Sequence, residues 1–401
     1  MTRFGTAVER INERIPGIDL PLLSVSQVHG VIRRSELTDK PQRAESLDAY
    51  KVCRLNDIIF NKMSIRAGAL GVAGEDGLVT YHYEVMRPRS DSDPRFLAYL
   101  MRSVWFTEEL IKRERGIGAG DQANVRTTEV PFSVLRTIDA WIPACGEQQA
   151  IADFLDRETA RIDTLIDEQQ CLIKTLKERR RAFITQAVSL SEPKFPLTRV
   201  INRIRQGASP NCEPWPADGV SEWGVLKVGV SNTGQFRPEE NKRLPDDEPP
   251  RSDFAVQPGE LVMSRSNSKE LVGCASVAPE GYPRLLLSDL TYGITLASNA
   301  EAEFVALTLQ GAVARHTISA MSKGTSPSMQ KISQRDIGNI PISLPSIAVQ
   351  RSIVLETNRH NSNIDRLITE TERFIELAQE RRSALVTAAV TGQIDVREEA
   401  I

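Results

Sequence analysis

Apolar positions recur with a helical period in a segment that begins at Glu147 and ends near Ser191. Isoleucine, leucine and phenylalanine follow one another at spacings of three and four residues, which places them on one face of an α-helix. No Gly or Pro interrupts the run. About 40 residues at 1.5 Å each predict a helix roughly 60 Å long. The apolar positions are Ile151, Leu155, Ile162, Leu165, Ile166, Leu172, Ile173, Leu176, Phe183 and Ile184.

The same segment occurs twice in the chain. Residues 143–189 and 345–391 align without a gap, and the numbers of matching residues differ by 202. The second copy stops before Gly392, a residue type that commonly follows the end of a helix. Because such helices gain their stability mainly by burying the apolar face, we predict that the two copies pack as an antiparallel coiled coil. A purely structural helical hairpin would explain the repeat, but not the globular segment before each helix.

The two globular segments show short apolar runs bounded by turns, which predicts an α+β fold for each. Ile58–Phe60 in the first parallels Leu261–Met263 in the second, and Phe96–Leu100 parallels Phe304–Thr308. We therefore predict two α/β globules in tandem, each followed by a long helix. The predicted boundaries are 1–142 for the first globule, 143–190 for the first helix, 191–344 for the second globule and 345–395 for the second helix.

Composition narrows the class of protein. The chain is 40% apolar and 26% charged with a formal net charge of −3, as in ordinary globular proteins, and it has no apolar run approaching the roughly 20 residues of a membrane span. The first residues lack an apolar signal core, so we expect a cytoplasmic protein without membrane association. Five scattered cysteines without a CxxC pair, and only four histidines, argue against a zinc site or a disulfide framework.

Motifs for catalysis are absent from the sequence. There is no GxxxxGK[ST], GxGxxG, HExxH or GxSxG, and no Asn-Pro-Pro-Tyr of the kind an amino-methyltransferase needs. Pro245-Asp246-Asp247 resembles the start of a nuclease signature, but Glu260-Leu261-Val262 lacks the lysine that should follow. We therefore expect a chain that is not an enzyme.

A small polar loop follows the short helix of each globule, at residues 118–126 and 323–332. Gln and Asn can form paired hydrogen bonds to adenine, and Arg and Lys can bind guanine, so these loops are candidate readers of nucleic acid. An ordinary solvated loop is the alternative. Residues that follow the matched strands could contact phosphates or base edges. The candidates from residue type alone are Lys62, Arg66, Gln122, Asn124, Arg126, Arg265, Gln330 and Lys331.

Three phrases carry a resemblance to a known family, namely Gly146–Asp156, Lys177–Thr185 and Arg381–Val396. Over essentially its full length the chain resembles the DNA-specificity subunit of a type I restriction–modification system. The resemblance implies two target recognition domains that each read one half of a bipartite site in double-stranded DNA. It also implies a coiled coil that sets the distance between the halves and docks two methyltransferase subunits.

The resemblance places the cofactors elsewhere in the complex. The methyltransferase subunits would hold S-adenosylmethionine for adenine N6-methylation, and restriction/translocase subunits would use ATP and Mg for DNA cleavage, while this chain would hold no cofactor or metal. Matching by position adds Lys323 and Ser326 to the DNA-reading candidates. The implied subunit-interface residues are Glu147, Gln148, Gln149, Glu178, Arg179, Arg180, Glu380, Arg381 and Arg382.

Two departures from the family pattern stand out. The second helix begins Ala348-Val349-Gln350-Arg351 where the family usually has Glu-Gln-Gln, and the second globule carries a Pro-rich stretch from Asn211 to Trp223 without a counterpart in the first. From another functional class, the alternative is a structural adaptor that does not bind DNA and joins two protein partners through its globules.

Overall fold

A computed structural model describes residues 1–39, 46–114, 129–189, 194–326 and 328–396. The chain divides into two compact units, Met1–Gln169 with Glu372–Ile401, and Gln170–Thr371. Each unit therefore combines one globular segment with a part of each long helix. The boundaries of the four predicted segments remain a prediction, since the compact units divide both long helices near their middle.

The first unit is built around a four-stranded antiparallel sheet in the order β2-β9-β6-β7. Its core holds four fully buried phenylalanines, Phe4, Phe60, Phe96 and Phe106. The strands are β1 (Thr2–Arg3), β2 (Val8–Ile11), β3 (Leu23–Ser26), β4 (Gly30–Arg33), β5 (Lys51–Cys53), β6 (Ile58–Asn61), β7 (Leu70–Val72), β8 (Gly77–Val79), β9 (Tyr83–Pro88) and β10 (Asp139–Ala140). The short helices are α1 (Arg34–Leu37), α2 (Pro94–Arg102), α3 (Val104–Glu114) and α4 (Phe132–Leu135).

The second unit has a matching four-stranded antiparallel sheet in the order β12-β19-β15-β17, and a separate three-stranded sheet in the order β14-β13-β18. The Pro-rich stretch packs on that smaller sheet through Cys212 and Trp223. The strands are β11 (Phe195–Pro196), β12 (Ile201–Gln206), β13 (Gly224–Leu226), β14 (Asn241–Arg243), β15 (Leu261–Ser264), β16 (Ser266–Asn267), β17 (Ala275–Val277), β18 (Leu285–Leu286), β19 (Thr291–Leu296), β20 (Lys323–Ser326), β21 (Met329–Lys331) and β22 (Pro341–Ile342). The short helices are α6 (Ala302–Gln310), α7 (Ala312–Met321) and α8 (Gln334–Gly338).

Two long helices, α5 (Cys145–Val188) and α9 (Ile347–Val390), pack against each other within each unit. In the first unit Ile151 and Leu155 share a core with Val386 and Val390, while Asp163 pairs with Arg382 further along α5. As the residue number rises on α5 it falls on α9, so the helices are antiparallel there.

In the second unit Leu176 packs with Ile368, and the Phe183 ring stacks on His360 with centroids 3.9 Å apart. The helices are antiparallel in this unit as well. The predicted fold class is thereby confirmed. Gly392 has the positive φ of 73° that suits a helix C-terminus. Within the described ranges, no helix combines the length and the apolar character needed to cross a bilayer.

The apolar face of the first long helix is narrower than predicted. Leu165 and Leu172 belong to the apolar pattern, yet their exposed fractions are 44% and 42%. By contrast Ile162 and Ile166 are buried. These two leucines belong to the predicted apolar face but are not covered by the rest of the units in which they lie.

Candidate nucleic-acid interface

The predicted polar loop of the second globule forms a β-hairpin from β20 and β21, and β16 extends it to three strands. Ser266 pairs with Lys331, and Asn267 pairs with Gln330. Gly324 allows the strands of the hairpin to approach closely, since a Cβ there would lie 2.1 Å from the Met329 carbonyl oxygen. Only glycine fits such an approach. The structure thus brings the second set of candidate residues together on one small sheet.

Lys323 and Lys331 are directly opposite each other in the hairpin. Both side chains are exposed, and neither forms an ion pair within the described part of the chain. Like charges placed opposite each other on adjacent strands destabilise a sheet. A bound anion between them would offset that cost, as a phosphate group does for clustered lysines.

Two of the other candidates brace the hairpin. The Gln330 Nε2 donates a 2.7 Å hydrogen bond to the Ser326 carbonyl oxygen. The Ser326 hydroxyl lies 3.1 Å from the Ser328 hydroxyl. One of the two polar groups that Gln330 would offer to an adenine is therefore engaged within the hairpin.

Arg265 lies at the base of the hairpin and is connected to it by hydrogen bonds through Tyr292. Its Nε donates to the Tyr292 hydroxyl at 3.1 Å, and its Nη1 donates to the Asp289 carbonyl at 3.1 Å. The Tyr292 hydroxyl in turn donates to the carbonyl of Ile332, which follows β21. This geometry gives the half-buried Arg265 side chain a supporting position. Its predicted contact with DNA remains a prediction.

The candidates in the first globule are only partly described. Lys62 follows β6, and its Nζ lies 3.3 Å from a carboxylate oxygen of Glu129. Arg66 is half-buried in the turn Ile65–Ala67. The predicted readers Gln122, Asn124 and Arg126 lie outside the described residues.

Arg180 and Arg382, predicted at a subunit interface, form ion pairs within the chain. Arg382 Nε and Nη2 donate to the two carboxylate oxygens of Asp163 at 2.8 and 3.1 Å. Arg180 pairs with Asp365. Asp163 and Asp365, like Arg180 and Arg382, are separated by 202 residues, so both units contain the same ion pair with the helices exchanged. The interface role of the two arginines stays a prediction, and both charges are already paired between α5 and α9.

Gln148 is the least accessible of the predicted interface residues. Its side chain is only 1% exposed and its amide is hydrogen-bonded inside the first unit, so it presents no surface to a partner subunit. Other predicted interface residues are accessible, and for them the prediction stands untested. The exposed ones are Gln149, Glu178, Arg179, Glu380 and Arg381, while Glu147 is half-buried.

Sequence patterns did not predict that four large apolar side chains of the long helices would be exposed. In the first unit Leu165 and Phe374 are exposed by 44% and 45%. In the second unit their repeat counterparts Leu367 and Leu172 are exposed by 43% and 42%. The signal in the sequence was the recurrence of large apolar residues at the same position of both copies.

Relatives of the chain point to one family. No protein-family model matches the chain. It is 30% identical over 156 residues to the specificity subunit of the type I restriction enzyme EcoEI of Escherichia coli, a match that covers 39% of this chain and 26% of that protein. It is 22% identical over 326 residues to the EcoKI specificity subunit of Escherichia coli strain K12, which covers 77% of this chain and 68% of that one. The matched region thus spans about a quarter of the first relative and about two thirds of the second.

Solved structures share the fold. A chain from a study of complex assembly and conformational transition in a type I R-M system superposes with a TM-score of 0.72 at 14% identity, covering 98% of this chain and 97% of that chain. The HsdS subunit from Thermoanaerobacter tengcongensis gives a TM-score of 0.52 at 16% identity, covering 98% and 96%. At these identities the likeness concerns the fold alone.

Proposed function

We propose, since this chain belongs to the specificity subunits of type I restriction enzymes, that it reads the two halves of a bipartite DNA site and is not itself an enzyme. It would position partner adenine methyltransferase subunits on that site. S-adenosylmethionine would be held by those partners, and ATP and Mg by restriction subunits. A protein with this target would act in the cytoplasm, where the bacterial DNA lies.

The observation that carries the proposal is the opposed, exposed lysine pair Lys323 and Lys331. The pair lies on a hairpin whose close strand approach depends on Gly324. Such a hairpin presents two lysine ammonium groups that can bind phosphates. Gln330 is on the same sheet, in the central strand β21 between β16 and β20. Phosphate contacts position a protein on DNA, and neighbouring polar side chains can then reach the bases.

The duplicated architecture supports a bipartite target. Both units contain a four-stranded antiparallel sheet, a short helix after it, and packed parts of α5 and α9. Their globular sequences have diverged while the helices stayed alike. Two globules with the same fold but different sequences, each attached to similar helices, are what a DNA site with two different halves requires.

The exposed apolar residues of the helices support docking of partner subunits. Leu165 and Leu367 occupy the same position of the repeat and are exposed to the same extent. Large apolar side chains that are exposed at matching positions of a repeat are candidates for burial in a protein interface. Because the exposed leucine occurs once in each unit, we propose that two copies of one methyltransferase subunit bind this chain.

Mapping of methylated adenines in cells with and without the gene tests the function. We expect one bipartite adenine motif to lose its methylation when the gene is deleted and to regain it on complementation. No lost motif, in cells that express the partner methyltransferase, would overturn the proposal.

Binding of the purified complex to random duplex DNA distinguishes the proposed DNA-reading function from the alternative of a structural adaptor. A DNA reader shows affinity that falls steeply with salt concentration, because phosphate contacts release counterions. An adaptor would show no measurable affinity for the duplex at low salt, with or without the methyltransferase.

A further inference from the structure

The buried side-chain amide of Gln148 forms three hydrogen bonds to the backbone of the first unit. Its Oε1 accepts a hydrogen bond from the Asp93 backbone N–H at 2.9 Å. Its Nε2 donates to the carbonyl oxygens of Pro143 and Asp91 at 2.8 and 3.3 Å. Asp93 is the N-cap of α2, and Pro143 precedes α5. The amide therefore connects the start of the globule's helix to the start of the long helix.

Gln350 makes the equivalent bonds in the second unit. Its Oε1 accepts from the Glu301 backbone N–H at 2.8 Å, and its Nε2 donates to Pro345 and Asn299 carbonyl oxygens at 2.8 and 3.0 Å. Glu301 is the N-cap of α6, and Pro345 precedes α9. The Gln350 side chain is fully buried, and Gln148 is almost so.

The residues around the two glutamines have diverged. Glu147 and Gln149 on one side correspond to Val349 and Arg351 on the other. Arg351 bonds Glu301 in the second unit, and nothing similar joins Gln149 to its surroundings in the described part of the first. A buried amide is costly unless its groups are paired, and an apolar side chain could fill the same space. Three directional bonds, however, specify one orientation between the joined elements, which apolar packing does far less strictly.

We propose that Gln148 and Gln350 are positioning residues, which hold each globule at one angle to the long helix of its own unit. This inference rests on the proposed function, in which the angle between globule and helix determines where the globule contacts DNA. The two amides would therefore make the protein selective for the number of base pairs between the two half-sites. They would have no part in the choice of bases within a half-site.

The test uses the full chain with its methyltransferase subunits. The probe is a pool of duplexes in which the two mapped half-sites are separated by spacers of different lengths, and methylation is measured for each length. For Gln148→Ala we expect spacers one base pair shorter or longer to gain about two- to tenfold in relative methylation, the ratio that corresponds to the loss of one net hydrogen bond. The preferred bases of both half-sites should stay the same.

Gln170→Ala is the matched control, because Gln170 is an exposed glutamine of the same helix and is not among the predicted interface residues. It should retain the spacer preference of the wild type. Gln350→Ala should act like Gln148→Ala. Gln148→Met keeps the length of the side chain and introduces no buried charge, but it loses the acceptor and both donors. It should therefore relax the spacer preference even if the alanine variant does not fold.

Several outcomes would overturn the inference. Folded variants with an unchanged spacer preference would do so, as would an equal loss of methylation at all spacers or failure of all three variants to fold, since each indicates a purely structural role. A wild-type complex that methylates no bipartite site would instead count against the proposed function itself.

Discussion

Asp163 and Arg382 form a bidentate ion pair between the two long helices. The repeat places the same pair in the second unit, where the aspartate (Asp365) is on α9 and the arginine (Arg180) is on α5. An antiparallel pair of duplicated helices produces this exchange, because each copy meets the other in the reverse direction. The two equivalent ion pairs therefore show that α5 and α9 pack in the same register in both units.

Arg382→Ala should lower the free energy of unfolding by less than about 1 kcal/mol. The Arg382 and Asp163 side chains are 36% and 50% exposed, and solvent screens such pairs strongly. Urea denaturation of the two single variants and of the double variant with Asp163→Ala would give the coupling energy. Arg381→Ala, which removes an exposed neighbour, is the control. A coupling well above 1 kcal/mol would contradict the expectation.

Lys323→Ala and Lys331→Ala should each weaken DNA binding about equally for all sequences. Each lysine that contacts a phosphate adds about 0.9 to the slope of log affinity against log salt concentration, so each substitution should reduce that slope by nearly one. Binding to duplexes over a salt series measures it. Lys174→Ala on α5 removes the same charge from an exposed helix position and should leave the slope unchanged. Unaltered slopes for both hairpin variants would exclude these lysines from phosphate binding.

Leu165→Asp should remove one of two bound methyltransferase subunits, and Leu165→Asp with Leu367→Asp should remove both. Both leucines are nearly half exposed, so folding of the free chain should change little. Light scattering after size-exclusion chromatography would give the stoichiometry. Leu355→Asp is a matched control, because Leu355 is 75% exposed and its counterpart in the other copy is Asp153. Assembly that is intact in the double variant would contradict the proposed docking surface.

Glu84 should make the first unit sensitive to acid. Its carboxylate is buried, which would raise its pKa, but hydrogen bonds from Arg10 and the charge of Lys51 outweigh burial and lower the pKa below the usual value. A carboxylate with a lowered folded-state pKa contributes stability that is present above about pH 4.5, its unfolded value, and is lost as pH falls through the folded value.

Glu84→Gln should therefore flatten the loss of stability below about pH 4.5 and lower stability at neutral pH by about 3–5 kcal/mol, because Lys51 remains buried without its partner. Urea midpoints across a pH series measure both effects. Glu75→Gln breaks the exposed pair with Arg33 and should change the neutral-pH stability far less. Equal effects of the two substitutions would show that burial of Glu84 is unimportant.

Much of the architecture was predictable from local patterns. The helical period and the repeat predicted α5 and α9, and the matched apolar runs predicted equivalent strands such as β6 and β15. These features depend on the spacing of apolar residues along one segment. The hairpin candidates Lys323 and Lys331 were also found from the sequence, although their placement directly opposite each other depends on strand register.

The sequence by itself determined the duplication, the two amphipathic helices and the order of elements, because each of these is encoded in neighbouring residues. Only the tertiary structure decided that Gln148 and Gln350 are buried in hydrogen bonds and that Leu165 is exposed. Two of the three hydrogen-bond partners of Gln148, Asp91 and Asp93, lie more than 50 residues away along the chain. A helical period identifies the apolar face of a helix. How much of that face becomes buried depends on which distant segments of the chain pack against it.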